Sequence, residues 1–322
     1  MLKCASFFAG VGGIDLGFKQ AGFETIYANE FDKYAADTFE CNYKIKVDRR
    51  DIHNVPTDEI PDFDFLLSGF PCQPFSIAGY RQGFNDEKGR GVLFFEIIRI
   101  MKVKKPRVAF FENVKNLLGH DNGNTFKVIC SELDNLGYKH FSQVMNACEY
   151  GNVPQNRERI YIVAFRDEED YSNFSMPLPT PLKKTIRDVI DFDAAKDEKY
   201  YYSDKNCKFY DILKTYIKNK DSIYQYRSEH VRENKRNLVP TLTAHIGTGG
   251  HNVPLILSND GRIRKITPRE CFNVQGFPQE FKLPQQSDTR LYKQSGNSVA
   301  VPVINRIAKK INEAIQKTDN NF

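Results

Sequence analysis

The chain has 322 residues, 40% hydrophobic and 27% charged, a composition typical of a globular protein with one or two domains and a buried core. We find no signal-peptide pattern and no apolar run near the roughly twenty residues of a membrane helix, which excludes a membrane protein and predicts a cytoplasmic one. The seven cysteines are scattered and form no CxxC pair, which argues against a disulfide framework and a zinc site. The net charge of +5 permits a polyanionic partner without requiring one.

Short β-rich runs alternate with helical patterns over the first half of the chain, which predicts an α/β fold with a doubly wound sheet. The predicted strands are LKCASFFA, ETIYANE, DFDFLLSG and RVAFFENV, followed by the strand pair FSQVMNA and RIYIVAF. Amphipathic helices are predicted for IDLGFKQAG, residues 33–42, GVLFFEIIRIMKVKK, TFKVICSELDNLG and the tail NSVAVPVINRIAKKINEAIQK.

Composition changes after Arg166. The proline-rich stretch FSMPLPTPL predicts a linker, and beyond about Thr185 the chain has few clear helices and many Lys, Tyr and Asn residues. We therefore predict a first domain over residues 1–184, a smaller second domain over 185–288, and a C-terminal segment, 289–322, that returns to the first domain.

The stretch FAGVGG follows the first predicted strand and opens the first helix. Gly10, Gly12 and Gly13 would let a cofactor approach the backbone beside the free N–H groups of a helix N-terminus. Glu30, at the end of the second strand, has the spacing of a carboxylate that binds ribose hydroxyls. Asp15 replaces the third glycine of the dinucleotide pattern, which favours an adenosine cofactor without a pyrophosphate, such as S-adenosylmethionine. The alternative is a simple tight turn.

Asp51 and Ile52 follow the second helix and extend this prediction. Asp51 would accept a hydrogen bond from the exocyclic amine of adenine, and Ile52 would pack on the ring. The alternative is an ordinary surface aspartate next to a core isoleucine.

A single cysteine, Cys72, stands between two prolines in GFPCQPFS, directly after the third predicted strand. Proline fixes φ and pushes the preceding residue out of the helical region, so this segment holds its thiol in one orientation, as a nucleophile requires. Glu112 ends the fourth strand within FFENV, where a carboxylate is seldom buried without a partner. Because ligands of open α/β sheets bind at the carboxyl ends of the strands, the glycine turn, Cys72 and Glu112 are predicted to face one crevice. A buried structural cysteine is the alternative.

A thiolate, a carboxyl group and a methyl donor suit methylation of a weakly nucleophilic aromatic carbon, such as C5 of cytosine. Addition of the thiolate at C6 makes the ring an enamine, and C5 then accepts an electrophilic methyl group. A protonated carboxyl group at N3 would stabilise the developing charge, so burial that raises the pKa of Glu112 would help. A base then removes the C5 proton and the thiol leaves by elimination.

The ordered set FAGVGG, ANE, GFPCQPFS, ENV, QNRERIY, TPRECFNVQGFP and GNSVAVPV resembles the cytosine-C5 DNA methyltransferases of restriction–modification systems. The resemblance runs from Phe7 to Val303. It implies a Rossmann-like S-adenosylmethionine-dependent methyltransferase sheet with a second, smaller target-recognition domain, S-adenosylhomocysteine as product and no metal. It also implies Cys72 as the nucleophile and Glu112 as the N3 partner. Around S-adenosylmethionine it places Phe8, Ala9, Gly10, Gly12, Gly13, Glu30, Phe31, Asp51, Ile52, Pro71, Leu93, Asn297 and Val299.

Arg157 and Arg159 lie two residues apart just before a predicted strand. Spacing alone favours two solvated charges. The resemblance instead counts both with the catalytic residues, and it places Arg157 near the cytosine O2 and the phosphate, with Gln155 beside it. The fixed fork of arginine suits such a bidentate contact.

A base stacked in duplex DNA is inaccessible, so the target cytosine must swing out into the pocket. The charged, glycine-punctuated loop over residues 76–91 is predicted to be a lid that closes over the DNA. Its residues Ser76, Arg81, Lys88 and Arg90 would contact phosphates. The alternative is a passive surface loop.

The stretch from YRSEHVRENKRN to PTLTAHIGTGGHN resembles the target-recognition region of the same family. Thr241 matches its recurrent TL pair and would contact a phosphate near the flipped base. Phosphate contacts are predicted for Arg227, Arg232, Lys235 and Arg236, and base-edge contacts for His245, His251 and Asn252. Solvated surface residues are the alternative for each. Arg269 and Glu270 are predicted to organise the second domain through an internal ion pair.

The sequence therefore predicts a DNA (cytosine-5-)-methyltransferase acting on double-stranded DNA. We expect a monomer without an obligate protein partner, which protects host DNA from a restriction endonuclease that acts separately on the same site. One alternative is a tRNA methyltransferase of the same fold, whose CFT tripeptide we do not find. A nicotinamide enzyme is opposed by Asp15 and the PCQ loop, and a non-catalytic DNA-binding regulator would need neither Cys72 nor Glu112.

Overall fold

The computed structural model describes residues 2–71, 93–227, 229–247 and 252–321. Over these residues the strands and longer helices predicted from the sequence are confirmed, with bounds that shift by a few residues. The elements in chain order are β1 (Lys3–Phe7), α1 (Gly13–Lys19), β2 (Glu24–Asn29), α2 (Lys33–Asn42), β3 (Phe65–Ser68), α3 (Leu93–Lys104), β4 (Val108–Val114), α4 (Asn124–Asn135), β5 (Lys139–Asn146), α5 (Ala147–Tyr150), β6 (Gln155–Asn156), β7 (Glu158–Phe165), α6 (Glu168–Asn173), α7 (Tyr210–Tyr216), β8 (Tyr224–Arg227), β9 (His230–Glu233), β10 (Val239–Pro240), β11 (Leu255–Leu257), β12 (Ile263–Lys265), α8 (Pro268–Val274), α9 (Asp288–Asn297) and α10 (Val301–Asn320).

The chain divides into two compact units that interleave along the sequence. Unit 1 comprises Met1–Met145, Glu158–Pro177 and Ile304–Phe322, and unit 2 comprises Asn146–Arg157 and Leu178–Val303. The domain boundaries expected from composition stay predictions.

Unit 1 is built on a six-stranded sheet in the order β2-β1-β3-β4-β7-β5. The strands β1 to β4 pair in parallel, whereas β7 pairs antiparallel with β4. The predicted α/β fold is therefore confirmed, with a mixed rather than a purely parallel sheet. Every residue of β3 is buried, as expected of a central strand that is covered on both faces.

Helix α10 supplies part of the cover of this sheet. Its side chains Ile304, Ile307 and Ile311 are fully buried, at the three- and four-residue spacing of an amphipathic helix. Gly17 of α1 admits it closely, since a Cβ on Gly17 would lie 2.6 Å from the side chain of Ile304. The end of the chain is thereby anchored to α1.

The topology of unit 1 sets where a ligand would lie. Because β1, β2, β3 and β4 are parallel, their carboxyl ends meet at one edge of the sheet. The segments at this edge are the glycine turn after β1, Glu30 after β2, Gly69 and Phe70 after β3, and the Glu112–Asn113 end of β4.

Unit 2 contains a four-stranded sheet in the order β12-β11-β8-β9 and a short parallel pair of β6 and β10. An ion pair joins β12 to α8. Arg264 is fully buried and donates to both carboxylate oxygens of Glu270, at 2.9 and 2.8 Å. Thr267 and Glu270 also form a capping box at the start of α8.

The sequence predicted that Arg269 and Glu270 form an internal ion pair, and this partner is wrong. Glu270 pairs with Arg264 instead. Arg269 instead donates to the carbonyl oxygen of Phe281. Within the described ranges, no helix is long and apolar enough to cross a membrane.

Candidate active site

Glu112 lies near the end of β4, where the strand register fixes its surroundings. It stands directly opposite Tyr161 of β7, and Val114 stands opposite Arg159. Side chains two apart on a strand share a face, so Glu112 and Arg159 are diagonal neighbours on one face of the sheet. Arg159 Nε lies 3.1 Å from Glu112 Oε1, and both side chains are largely buried, with 13% and 11% exposed.

The other carboxylate oxygen of Glu112 faces the end of β3. A Cβ built on Gly69 would lie 3.9 Å from Glu112 Oε2. Asn113 holds Phe70, the residue after Gly69, since its side-chain amide donates to the carbonyl oxygen of Phe70 at 2.9 Å. The end of β4 is thus tied to the segment that leads, two residues later in the sequence, to Cys72.

Several predicted site residues lie outside the described residues. They are the proposed nucleophile Cys72, the lid residues Ser76, Arg81, Lys88 and Arg90, and the recognition residue His251. Their roles stay predictions.

The glycine turn after β1 is described in full. Gly10 and Gly12 have φ of +56° and +83°, in the left-handed region that glycine tolerates. Phe8 also has a positive φ, +54°, which is uncommon for a bulky residue and marks a strained turn. Apart from its two chain neighbours, no described residue has an atom within 4 Å of a Cβ built on Gly10, so these residues leave the space above it open.

Glu30 is fixed beside that turn. Its two carboxylate oxygens accept hydrogen bonds from the backbone N–H groups of Gly10, at 2.8 Å, and Asp32, at 2.7 Å. Glu30, the residue predicted to bind the ribose hydroxyls, is therefore held in one position at the carboxyl edge of the sheet.

The remaining predicted cofactor residues of unit 1 differ in exposure. Phe31 is 71% exposed, an unusual position for a large aromatic ring. Ile52 is buried and begins a short 3₁₀ turn for which Asp51 is the N-cap. Leu93 packs partly against the core at the start of α3, and Pro71 is exposed.

Arg157 lies in unit 2 and is only 2% exposed. Its guanidinium donates to the carbonyl oxygens of Leu242, Gly296 and Ser298. Gln155 is fully buried. Arg159, and not Arg157, is thus the arginine that the structure places beside Glu112.

The predicted cofactor residues Asn297 and Val299 also belong to unit 2. Asn297 is exposed at the end of α9, and Val299 is buried. A Cβ on the preceding Gly296 would lie 2.0 Å from the carbonyl oxygen of Thr243, so only glycine permits the chain to pass there.

The predicted recognition residues of unit 2 fall into two groups. Arg227 and Arg232 are exposed on the β8–β9 hairpin, and His245 is exposed in the loop after β10. Asn252 instead closes that loop, because its side-chain amide donates to the carbonyl oxygen of His245 and accepts from the N–H of Gly247. Thr241 donates to the carbonyl oxygen of Asn156 at 2.6 Å.

Sequence reasoning missed two buried polar residues that organise these regions. Arg264 completes the ion pair of unit 2, and Asn29 lies at the end of β2 with 2% of its surface exposed. The one sequence signal for Asn29 was its position next to Glu30 in the ANE motif. Among the described residues, no cluster of three or more His, Cys, Asp or Glu side chains could hold a metal ion.

The α/β fold with its mixed central sheet matches a methyltransferase fold. In fold the chain is similar to a solved structure of the methyltransferase EhMeth of Entamoeba histolytica, with a TM-score of 0.73 at 19% identity over 98% of this chain and 99% of that one.

The family follows from sequence. The model of the C-5 cytosine-specific DNA methylases matches residues 2–313, and the chain belongs to this family. It is 58% identical to the type II methyltransferase M.Bsp6I of Bacillus sp. (strain RFL6), over 97% of this chain and 98% of that protein. It is 42% identical to the type II methyltransferase M1.ScrFI of Lactococcus lactis subsp. cremoris, over 98% of this chain and 79% of that protein. The predicted family is thereby confirmed, and with it an enzyme of the S-adenosylmethionine-dependent methyltransferase class.

Proposed function

We propose that this enzyme methylates C5 of a cytosine flipped out of double-stranded DNA, as the modification enzyme of a restriction–modification system. The observation that carries the proposal is the pairing of Glu112 and Arg159 on one face of the sheet, at the edge that leads to Cys72. Membership of the cytosine-specific family supplies the substrate class.

The geometry of the pair matches one edge of cytosine. N3 and O2 are adjacent acceptors on that edge, so a protonated carboxyl group and a guanidinium side by side can bind both. We assign N3 to Glu112 and O2 to Arg159. The O2 contact was expected of Arg157, but the guanidinium of Arg157 is occupied by three carbonyl oxygens within unit 2.

The two oxygens of Glu112 would then have separate tasks. Oε1 faces Arg159, while Oε2 faces Gly69 and is the oxygen we expect to carry the proton toward N3. When the thiolate of Cys72 bonds to C6, negative charge spreads to N3, and this proton neutralises it. Transfer of the methyl group to C5, loss of the C5 proton to a base and cleavage of the sulfur–carbon bond restore the thiolate and the aromatic ring.

The residues of unit 1 fit an adenosine cofactor. The open space above Gly10, the fixed carboxylate of Glu30 and the exposed ring of Phe31 lie at the same edge of the sheet, since Glu30 accepts from the N–H of Gly10 and directly precedes Phe31. Glu30 would bind the ribose hydroxyls, Phe31 would stack on adenine, and Asp51 would accept from its amino group. S-adenosylmethionine, when bound, supplies the electrophilic methyl group.

The β8–β9 hairpin of unit 2 supports contact with a duplex. Among the described residues, β11 pairs with β8 at Tyr224 alone, so residues 225–227 of β8 and their partners in β9 extend past the sheet as a two-stranded ribbon, a shape that the major groove admits. Tyr226 and Val231 face the core on one side, with Tyr226 stacked on Phe209. The opposite face carries Gln225, Arg227, His230 and Arg232, and no side chain of this set makes an ion pair with another described residue. We propose that this face contacts DNA.

A place in a restriction–modification system is supported by the names of the relatives, which are type II methyltransferases. The names of these relatives do not support the alternative function, methylation of tRNA.

The test measures tritium transfer from methyl-labelled S-adenosylmethionine to duplex DNA, single-stranded DNA and tRNA. We expect transfer to duplex DNA alone. Bisulfite sequencing of a plasmid from cells that express the chain should show 5-methylcytosine at one short recurring sequence. Transfer to tRNA without transfer to duplex DNA would contradict the proposal and establish the alternative.

A further inference from the structure

The segment that carries Asp51 and Ile52 has little regular structure of its own, yet it is closely attached to the end of β2. Asp48 forms an isolated parallel bridge with Asn29. Its N–H donates to the carbonyl oxygen of Ala28 at 2.8 Å, and its carbonyl oxygen accepts from the N–H of Glu30 at 3.0 Å. These backbone bonds stop at Asp48, three residues before Asp51.

The side chain of Asn29 continues the attachment. Its amide nitrogen donates to the carbonyl oxygens of Asp48, at 3.0 Å, and Arg50, at 2.9 Å. The backbone carbonyl oxygen of Asn29 accepts from the N–H of Ala9, in the glycine turn, at 3.1 Å. One buried residue therefore contacts the turn after β1 and the segment before Asp51, and it directly precedes Glu30.

A second set of contacts holds the same segment from the solvent side. Arg50 pairs with Asp48 and with Glu59, and the hydroxyl of Tyr27 donates to Asp48. These side chains are partly exposed, so their ion pairs are screened by water and salt. The buried amide is not screened in this way.

We infer that Asn29 is a positioning residue for the adenosine end of the cofactor site, an inference that rests on the proposed function. Its two coplanar N–H groups match two carbonyl oxygens, and this match holds Asp51 and Ile52 at a set distance from Glu30 and Phe31. An aspartate has the same shape but only acceptors, so it would repel both carbonyl oxygens and release the segment.

The test is Asn29→Asp, with titration calorimetry of S-adenosylhomocysteine and of 5′-methylthioadenosine, which carries only the adenosine end. We expect both ligands to bind at least about tenfold more weakly, by a similar factor. The turnover number at saturating cofactor should stay within about twofold of wild type, because Glu112 and Arg159 are untouched. Asn312→Asp is the matched control: its amide donates to the carbonyl oxygen of Ala21, away from the predicted cofactor site, and affinity should not change.

Unchanged affinity in Asn29→Asp, or a loss for S-adenosylhomocysteine without one for 5′-methylthioadenosine, would overturn the inference. If Asn29→Asp fails to fold, Arg50→Gln loosens the same segment from its exposed side, and a loss of about two- to fivefold for both ligands is expected. No loss in Arg50→Gln would then overturn it. Wild-type protein that binds neither ligand would instead contradict the proposed cofactor site itself.

Discussion

Each unit contains a buried pairing of a carboxylate with a guanidinium, and the two pairings differ in construction. In unit 2, Glu270 accepts two hydrogen bonds from Arg264 and one each from the N–H groups of Asp191 and Thr267. These partners belong to the same fold unit, and Arg264 stands six residues before Glu270. In unit 1, Glu112 meets Arg159 through one diagonal contact between neighbouring strands.

This difference in construction indicates that the pair in unit 2 stabilises the fold, whereas the pair in unit 1 takes part in catalysis. The pair in unit 2 is enclosed, with 0% and 4% of its side chains exposed, and it joins a strand to a helix. The pair in unit 1 lies at the carboxyl edge of a sheet, where ligands of α/β proteins bind. We therefore expect removal of one charge to affect stability in unit 2 and chemistry in unit 1.

The largest effect is expected for Glu112→Gln. The amide can still accept from Arg159 but cannot give N3 a proton, so methyl transfer should fall by about 10²- to 10⁴-fold. Single-turnover kinetics with duplex DNA measures the fall. The unfolding midpoint should fall less than it does when Glu270 is changed, since Arg159 is less enclosed than Arg264. A variant that transfers methyl groups at the wild-type rate would contradict the assigned role.

Glu270→Gln should show the opposite pattern. It leaves the charge of Arg264 buried without a counter-ion, which costs about 3–5 kcal/mol of the free energy of unfolding. Urea unfolding gives this value, with the exposed Glu280→Gln as control. A loss below about 1 kcal/mol would show that the enclosed pair does not stabilise unit 2.

Asp15 is a third buried carboxylate, and it has hydroxyl partners instead of a guanidinium. It accepts from Ser6 and Thr25, at 2.9 Å each, and burial raises its pKa to about 6. Because the folded pKa lies above the unfolded one, the stability from this group is complete below about pH 4 and is lost as the pH rises through about 6. The loss amounts to about 3 kcal/mol.

Asp15→Asn removes this titration. Relative to wild type, the variant should gain stability as the pH rises from 4 to 6, by up to about 3 kcal/mol. Urea unfolding of both proteins at several pH values measures the difference. A difference that is independent of pH would mean that Asp15 does not titrate in this range.

The smallest effect is expected for the exposed pair of Lys115 and Glu158. Both side chains are about half exposed, and their contact of 2.9 Å is surrounded by solvent. Lys115→Ala should change the free energy of unfolding by less than about 1 kcal/mol, with the little effect it has disappearing in high salt. A larger loss in the free energy of unfolding, unaffected by salt, would show that an exposed pair can stabilise the protein as much as an enclosed one.

The sequence predicted the sheet edge well because the ends of strands and the turns that follow them are marked by short-range patterns. The apolar run before Glu112 and the turn between β1 and α1 are local signals, and both elements lie where they were predicted. The choice between Arg157 and Arg159 was not local. It depends on the antiparallel register of β7 on β4, which alternation alone does not set.

The partner of Glu270 was likewise beyond local signals. The neighbouring Arg269 was the plausible partner in sequence, yet adjacent residues on a helix point in different directions. Arg264 reaches Glu270 from β12, a contact that only the packing of strand against helix creates. Side-chain amides such as that of Asn29 carry no periodic pattern either, so their roles emerge only from coordinates.

We expect a thiolate from Cys72 to bond to C6 of the cytosine held by the Glu112–Arg159 pair. A duplex in which 5-fluorocytosine replaces the target base tests this, because the fluorine at C5 cannot be removed as a proton and the sulfur cannot leave. With S-adenosylmethionine present, we predict a covalent complex stable to denaturation, whose peptide map places the adduct on Cys72, and none with Cys72→Ser. A wild-type enzyme that methylates cytosine in the same duplex but forms no adduct, or forms one on another cysteine, would contradict the role of Cys72 as the nucleophile.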